Sequence, residues 1–158
     1  MRYIRYKYNN SVEYGILSED NTIQQLNGLP YEYVEHKKTK NSTFLSLGEV
    51  ELLAPCQPGK IIATAINYPG VTGLTEKVSE PLVFIKPSSS VIGHNQTIIS
   101  PFKDTPVWGE SELGIVIGKS LSKATMEEVN KAIFGYTIGN DVSCENVFGW
   151  DHHLARSK

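Results

Sequence analysis

Apolar and polar residues alternate from the start of the chain. Residues 2–8 and 12–17 both carry the period-two pattern of a half-buried strand, with Asn9 and Asn10 between them as a turn. A second turn at Glu19-Asp20-Asn21 leads into a third alternating stretch, residues 22–26, so the opening predicts a small antiparallel meander. Residues 27–48 read as polar and irregular, with a basic stretch from His36 to Lys40 that suits a solvated loop. Pro55 and Gln57-Pro58-Gly59 punctuate the chain and mark a boundary between a domain over residues 1–58 and another over residues 59–158.

Beyond that boundary the pattern changes. Residues 61–66 are a continuous apolar run fit for a buried strand, and residues 82–85 predict another, closed by Lys86-Pro87. Residues 112–117 are strand-like and end at Gly118. The clearest helix signal is Thr125 with Glu128, a capping box in which each side chain accepts from a free backbone N–H at the helix start. Met126, Val129, Ala132 and Ile133 then share one face, and Gly135 is the expected stop. Residues 136–139 predict a further strand that delivers Asn140 and Asp141 at its end. The expected class is α+β, mostly β.

Composition adds exclusions. Of 158 residues, 40% are hydrophobic and 20% charged, which is a globular balance. A net charge of -2 gives a polyanion no general attraction, so nucleic acid is not an expected partner. No run of about 18 apolar residues is present to span a membrane. Cys56 and Cys144 form no CxxC pair, and the first residues lack an apolar leader. The expected location is the cytoplasm.

The candidate chemistry lies in carboxylates. Glu110 and Glu112 are one residue apart, so an extended backbone points both to the same side. Two like charges there repel unless solvent or a cation separates them. Asp141 follows the strand that the helix brings back, and its side chain could join them. Three carboxylates make a hard, oxygen-rich shell suited to Mg²⁺, Mn²⁺ or Ca²⁺ and not to a structural zinc. The competing readings are a solvated Glu-x-Glu strand face and a turn-forming Asp.

Four ordered segments carry a family resemblance. They are Lys60-Ile61-Ile62 through Asn67-Tyr68, Glu80-Pro81-Leu82-Val83-Phe84-Ile85-Lys86-Pro87, Gly109-Glu110-Ser111-Glu112-Leu113 with Val116-Ile117-Gly118-Lys119, and Gly135-Tyr136-Thr137-Ile138-Gly139-Asn140-Asp141-Val142-Ser143. Together they resemble the fumarylacetoacetate hydrolase family over residues 60–158, while residues 1–55 match its variable N-terminal domain loosely. The tail Trp150-Asp151-His152-His153 through Lys158 is similar to a branch described as 2-hydroxyhepta-2,4-diene-1,7-dioate isomerases. The resemblance implies a metal held by Glu110, Glu112 and Asp141. It also implies a small dicarboxylic oxo- or hydroxy-dienoic acid as substrate, and catabolic isomerase, decarboxylase or hydrolase chemistry through a metal-stabilised enolate. It places Lys86 beside the carboxylates and Lys158 toward the substrate, although a terminal residue is expected to be mobile. His153 is a candidate general base, against a structural role with His152 and Asp151. Val71 stands where many members have a water-activating histidine, and Glu76 has no evident histidine partner, which weakens hydrolysis.

The family's β-roll continues past the position of Lys158, so the expected architecture is a small N-terminal β-rich domain with an incomplete β-roll. Exposed strand edges then suggest a homo-oligomer, in the simplest case a dimer. The rival function is a catalytically inactive, self-associating or interaction module. Ser88-Ser89-Ser90 lacks the G-x-S-x-G context of a nucleophile and reads as a polar loop.

Overall fold

The computed structural model describes residues 1–31, 39–67, 80–100, 102–145, 149, 151, 153–154 and 156–158, with the backbone alone at 39–42. The predicted class is found: strands dominate, and Met126–Ala132 forms a helix of about two turns. By contacts the chain forms two compact units, each discontinuous in sequence.

The first unit comprises Met1–Gln57, Ile92–Ile98 and Glu112–Gly139. Its opening meander is β1 (Arg2–Tyr8), β2 (Ser11–Leu17) and β3 (Thr22–Leu26), as the alternation predicts. Asn9 and Asn10 have φ of 47° and 64°, the paired left-handed conformation that lets a two-residue turn follow the twist of its hairpin. The sequence reading of residues 27–48 as irregular is corrected at its end. Residues Thr39–Ser46 form β4, followed by a 3-10 turn, Leu47–Glu49, capped by Ser46 and Glu49, and then by β5 (Glu51–Leu52). The basic stretch from His36 to Lys40 lies mostly outside the described residues. The sheet runs β4-β3-β2-β1-β5 and is antiparallel throughout. Tyr6, Ile23 and Leu45 form its buried centre, flanked by Ile4, Tyr8, Leu17, Leu47, Val50 and Leu52.

Also in this unit are β9 (Ser111–Ile117), α1 (Met126–Ala132) and β10 (Ile133–Asn140), with β9 paired to β10. The Thr125–Glu128 capping box is present in both directions. The helix is shorter than its sequence signal. Ile133 turns extended (φ -65°, ψ 116°) and opens β10, so Gly135 lies inside a strand and is not a helix stop. Strand pairing outweighs the helical periodicity there. Met126 is exposed, Val129 is half-buried and Ala132 is buried. A Cβ built on Gly114 falls 2.8 Å from the Thr137 Cγ2, so these two share a face of the ribbon. The opposite face therefore carries Leu113, Ile115, Tyr136 and Ile138, which are 70%, 53%, 66% and 85% exposed.

The second unit comprises Pro58–Val91, Ile99–Ser111 and Asn140–Lys158. Here β6 (Ile61–Ala65) pairs antiparallel with β7 (Leu82–Lys86), close to their sequence limits. Ser88–Ser90 is a single 3-10 turn whose Ser90 hydroxyl donates to the Pro87 carbonyl at 2.7 Å, in keeping with a polar loop. A short bridge joins β8 (Val107–Trp108) to β11 (Ser143–Cys144). No helix among the described residues is long and apolar enough to cross a membrane.

Candidate active site

The second unit gathers two carboxylates and two ammonium groups. Glu110 follows β8, and Asp141 follows β10. Their backbones are locked together by reciprocal bonds, Glu110 N–H to the Asp141 carbonyl at 3.1 Å and Asp141 N–H to the Glu110 carbonyl at 2.9 Å. Lys158 Nζ bridges the two side chains, 2.7 Å from Glu110 Oε2 and 3.1 Å from Asp141 Oδ2. Lys86, from the end of β7, donates to the other oxygen of Asp141 and approaches the Val142 carbonyl at 3.5 Å. The side chains of Lys86, Asp141 and Lys158 are 11–14% exposed, so water screens these pairs only partly.

Three groups around this cluster were not given roles by the sequence. Ser143 is buried, and its hydroxyl donates to Glu110 Oε1 at 2.7 Å. The Trp108 indole N–H donates to the same oxygen at 3.0 Å. Phe84 lies with its ring centroid 5.6 Å from Lys158 Nζ, within cation–π range. A signal existed for two of them: Trp108 is two residues before Glu110 on an extended stretch, and Ser143 closes the Asn-Asp-Val-Ser motif. Glu110 is thus held from both oxygens. Burial works to raise its pKa, but hydrogen bonds from Lys158, Ser143 and Trp108 and the Lys158 charge outweigh it and leave the pKa lowered. Burial likewise works to lower the pKa of Lys158, and the bonds and charges of Glu110 and Asp141 leave it raised.

Contacts on both backbone and side chain hold Lys158 in place. Asp151 is buried, and its Oδ2 accepts from the backbone N–H of Arg156, from that of Ser157 at 3.0 Å and from the Ser157 hydroxyl at 3.3 Å. The Ser157 carbonyl accepts from Cys144 N–H at 2.8 Å, which ties the hook to β11. The expectation of a mobile lysine is therefore corrected: the preceding turn is pinned by a buried carboxylate, and the ammonium is pinned by two more.

The other predicted residues are placed differently. Glu112 is exposed near the start of β9. Among the described residues no three His, Cys, Asp or Glu side chains stand close enough together to hold an ion as they are. His153 is exposed and makes none of the contacts of the cluster. Val71, Glu76, His152 and Tyr68 lie outside the described residues. Asn67 is described; its amide donates to the Thr64 hydroxyl at 2.8 Å. Just before it, Ile66 has φ 51°, a left-handed conformation that a β-branched residue adopts only under strain.

Comparison with known proteins agrees with the motifs. A model described as fumarylacetoacetate (FAA) hydrolase C-terminal matches residues 60–158, and one described as Rv2993c-like, N-terminal, matches residues 1–55. The chain belongs to the fumarylacetoacetate hydrolase family. It is 35% identical over 116 residues to Protein Rv2993c of Mycobacterium tuberculosis, a match covering 71% of this chain and 43% of that protein. It is 30% identical over 152 residues to a 2,4-didehydro-3-deoxy-L-rhamnonate hydrolase of a Sphingomonas species, covering 90% and 53%. The crystal structure of 2-hydroxyhepta-2,4-diene-1,7-dioate isomerase from Mycobacterium marinum superposes on all of this chain and 60% of its own, with a TM-score of 0.84 and 27% identity. The chain spans about half the length, or less, of the curated relatives it matches. Its relatives thus include hydrolases and isomerases of small organic acids.

Proposed function

We propose that this chain carries the carboxylate cluster of a metal-dependent enzyme acting on small oxo- or hydroxy-dienoic dicarboxylic acids, with Glu110, Glu112 and Asp141 as the ligands of Mg²⁺ or a similar ion. The observation that carries this reading is the convergence of Glu110 Oε2 and Asp141 Oδ2 on a single cationic nitrogen. Two carboxylates from different segments already reach one point that bears positive charge. Their chemistry, hard oxygen donors held by a backbone lock, fits a hard divalent cation. Glu112 supports the reading through its motif position alone, and completing the set requires its side chain to be recruited.

A divalent ion there supplies Lewis-acid polarisation of a carbonyl oxygen. The chain's own residues do the rest. Ser143 and Trp108 hold Glu110 Oε1 and so aim Oε2 inward; Lys86 holds Asp141 Oδ1 and aims Oδ2 at the same point. Lys158 Nζ, in contact with both carboxylates, is a proton-bearing cation suited to a substrate carboxylate. His153 is exposed and remains only a secondary candidate for proton transfer. Isomerisation or decarboxylation fits better than hydrolysis, because Val71 replaces the histidine that would activate water.

Calorimetry with Mg²⁺ and Mn²⁺ on the intact chain and on Glu112→Ala tests the ligand set. Wild type is expected to give a saturable heat that the variant loses, and equal heats remove Glu112 from the site. Turnover of oxaloacetate or an acylpyruvate, lost in chelator and restored by Mg²⁺, tests the activity.

The apolar face on β9 and β10 favours a second reading, a self-associating module without catalysis. A dimer or larger species in light scattering together with no metal-dependent turnover would support it over the first.

A further inference from the structure

We infer that Lys158 is an internal competitor of the metal: its ammonium occupies the point that a divalent ion would take between Glu110 and Asp141, and metal entry displaces it. This rests on the metal-site reading above and goes beyond it, because it assigns the lysine a role in controlling metal entry.

Among the described residues two carboxylates face two ammonium groups, so these four charges balance without any ion. A divalent cation at the same oxygens adds two positive charges within contact distance of both lysines. The balance is restored most directly if one ammonium withdraws. Lys158 is the one in the way, since of the two lysines it is the one that touches both carboxylates. Lys86 holds the outer oxygen of Asp141 and the Val142 carbonyl, contacts that need not break when Oδ2 takes a different partner.

Withdrawal is also easy for Lys158 to accommodate. The Asp151 hook holds the backbone at Ser157 and not the four-carbon side chain, which can turn away once its two carboxylate partners are taken by the ion. The Phe84 ring, with its centroid 5.6 Å from the ammonium, offers the displaced cation a favourable face. The same ammonium keeps two partly buried carboxylates from facing each other unpaired.

Two measurements test this. The first is Mn²⁺ titration calorimetry of wild type and Lys158→Met. Removing the competitor is expected to tighten Mn²⁺ binding at least tenfold. Equal or weaker binding by the variant overturns the inference while leaving the metal site in place; no saturable heat from either chain overturns both. The second uses wild type alone, so that it stands even if the variant does not fold. Amine-reactive acetylation is read by mass spectrometry with and without saturating Mn²⁺. Lys158 is expected to become several-fold more reactive with Mn²⁺. Lys131, exposed in its pair with Glu127, serves as the internal reference. Unchanged or reduced Lys158 labelling at saturating Mn²⁺ overturns the exchange.

Discussion

Replacing Asp151 by Ala should release the end of the chain and, with it, Lys158. The wild-type carboxylate accepts from the Arg156 and Ser157 amides and from the Ser157 hydroxyl, all on Oδ2. Hydrogen bonds to a charged group contribute about 1.5–3 kcal/mol each, and a buried N–H left without an acceptor costs about 1–3 kcal/mol. The three bonds share one oxygen and do not add, so a total of about 3 kcal/mol is the reasonable figure. That corresponds to a change on the order of 100-fold in the local opening equilibrium. Amide hydrogen exchange reads it directly, at Ser157 and at Cys144, whose N–H donates to the Ser157 carbonyl. Both should exchange about 100-fold faster in Asp151→Ala. Asp151→Asn, which keeps an acceptor but loses the charge, should lie between. Rates within threefold of wild type in the alanine variant would show that other contacts hold the hook.

Three further outcomes follow from local geometry. Gly15→Ala places a Cβ 2.5 Å from Ile23 Cγ2 and 3.1 Å from Tyr6 Cε1, in the buried centre of the first sheet, and should cost about 1–3 kcal/mol by overpacking in chemical denaturation. Ile66→Asn should stabilise by about 0.5–1 kcal/mol in the same assay, because Asn tolerates the left-handed conformation that strains Ile66. Glu128 has its pKa lowered by the backbone and hydroxyl of Thr125. A lowered carboxylate contributes stability at higher pH and loses it as the pH falls through the folded value. The Thr125 amide should therefore shift by NMR below about pH 4.3, and should not do so in Glu128→Gln.

The parts of the fold that were legible are those where local pattern and tertiary environment agree. β1 to β3 alternate because one face packs on Tyr6 and Ile23, and Asn9-Asn10 is a turn that needs no context. β4 was missed because it is an edge strand. With a neighbour on one side only, it tolerates polar residues, and Leu45 is its buried contribution to the sheet's centre. α1 was overextended because Ile133 continues the helical face in sequence while its backbone is recruited by strand pairing. In the site, motif order pointed to Glu110, Asp141, Lys86 and Lys158. It gave no role to Ser143 and Trp108, although one closes a motif and the other stands two residues before Glu110, because their importance depends on which side chain they meet; nor did it give the partners of Asp151, which are mainly backbone amides that no residue pattern reveals. Glu112 is the opposite case: its spacing marks it clearly, and it stands exposed outside the contacts that unite the others.

The bare face of β9 and β10 governs how the folded chain must be monitored. Leu113, Ile115, Tyr136 and Ile138 offer environment-sensitive dyes an apolar surface in the native state. Such fluorescence, usually taken as a sign of loosened packing, should start bright and rise little on heating. Circular dichroism follows the unfolding of this chain more faithfully, and a lysine at Ile138 should darken the dye signal at room temperature while leaving the spectrum of the strands intact.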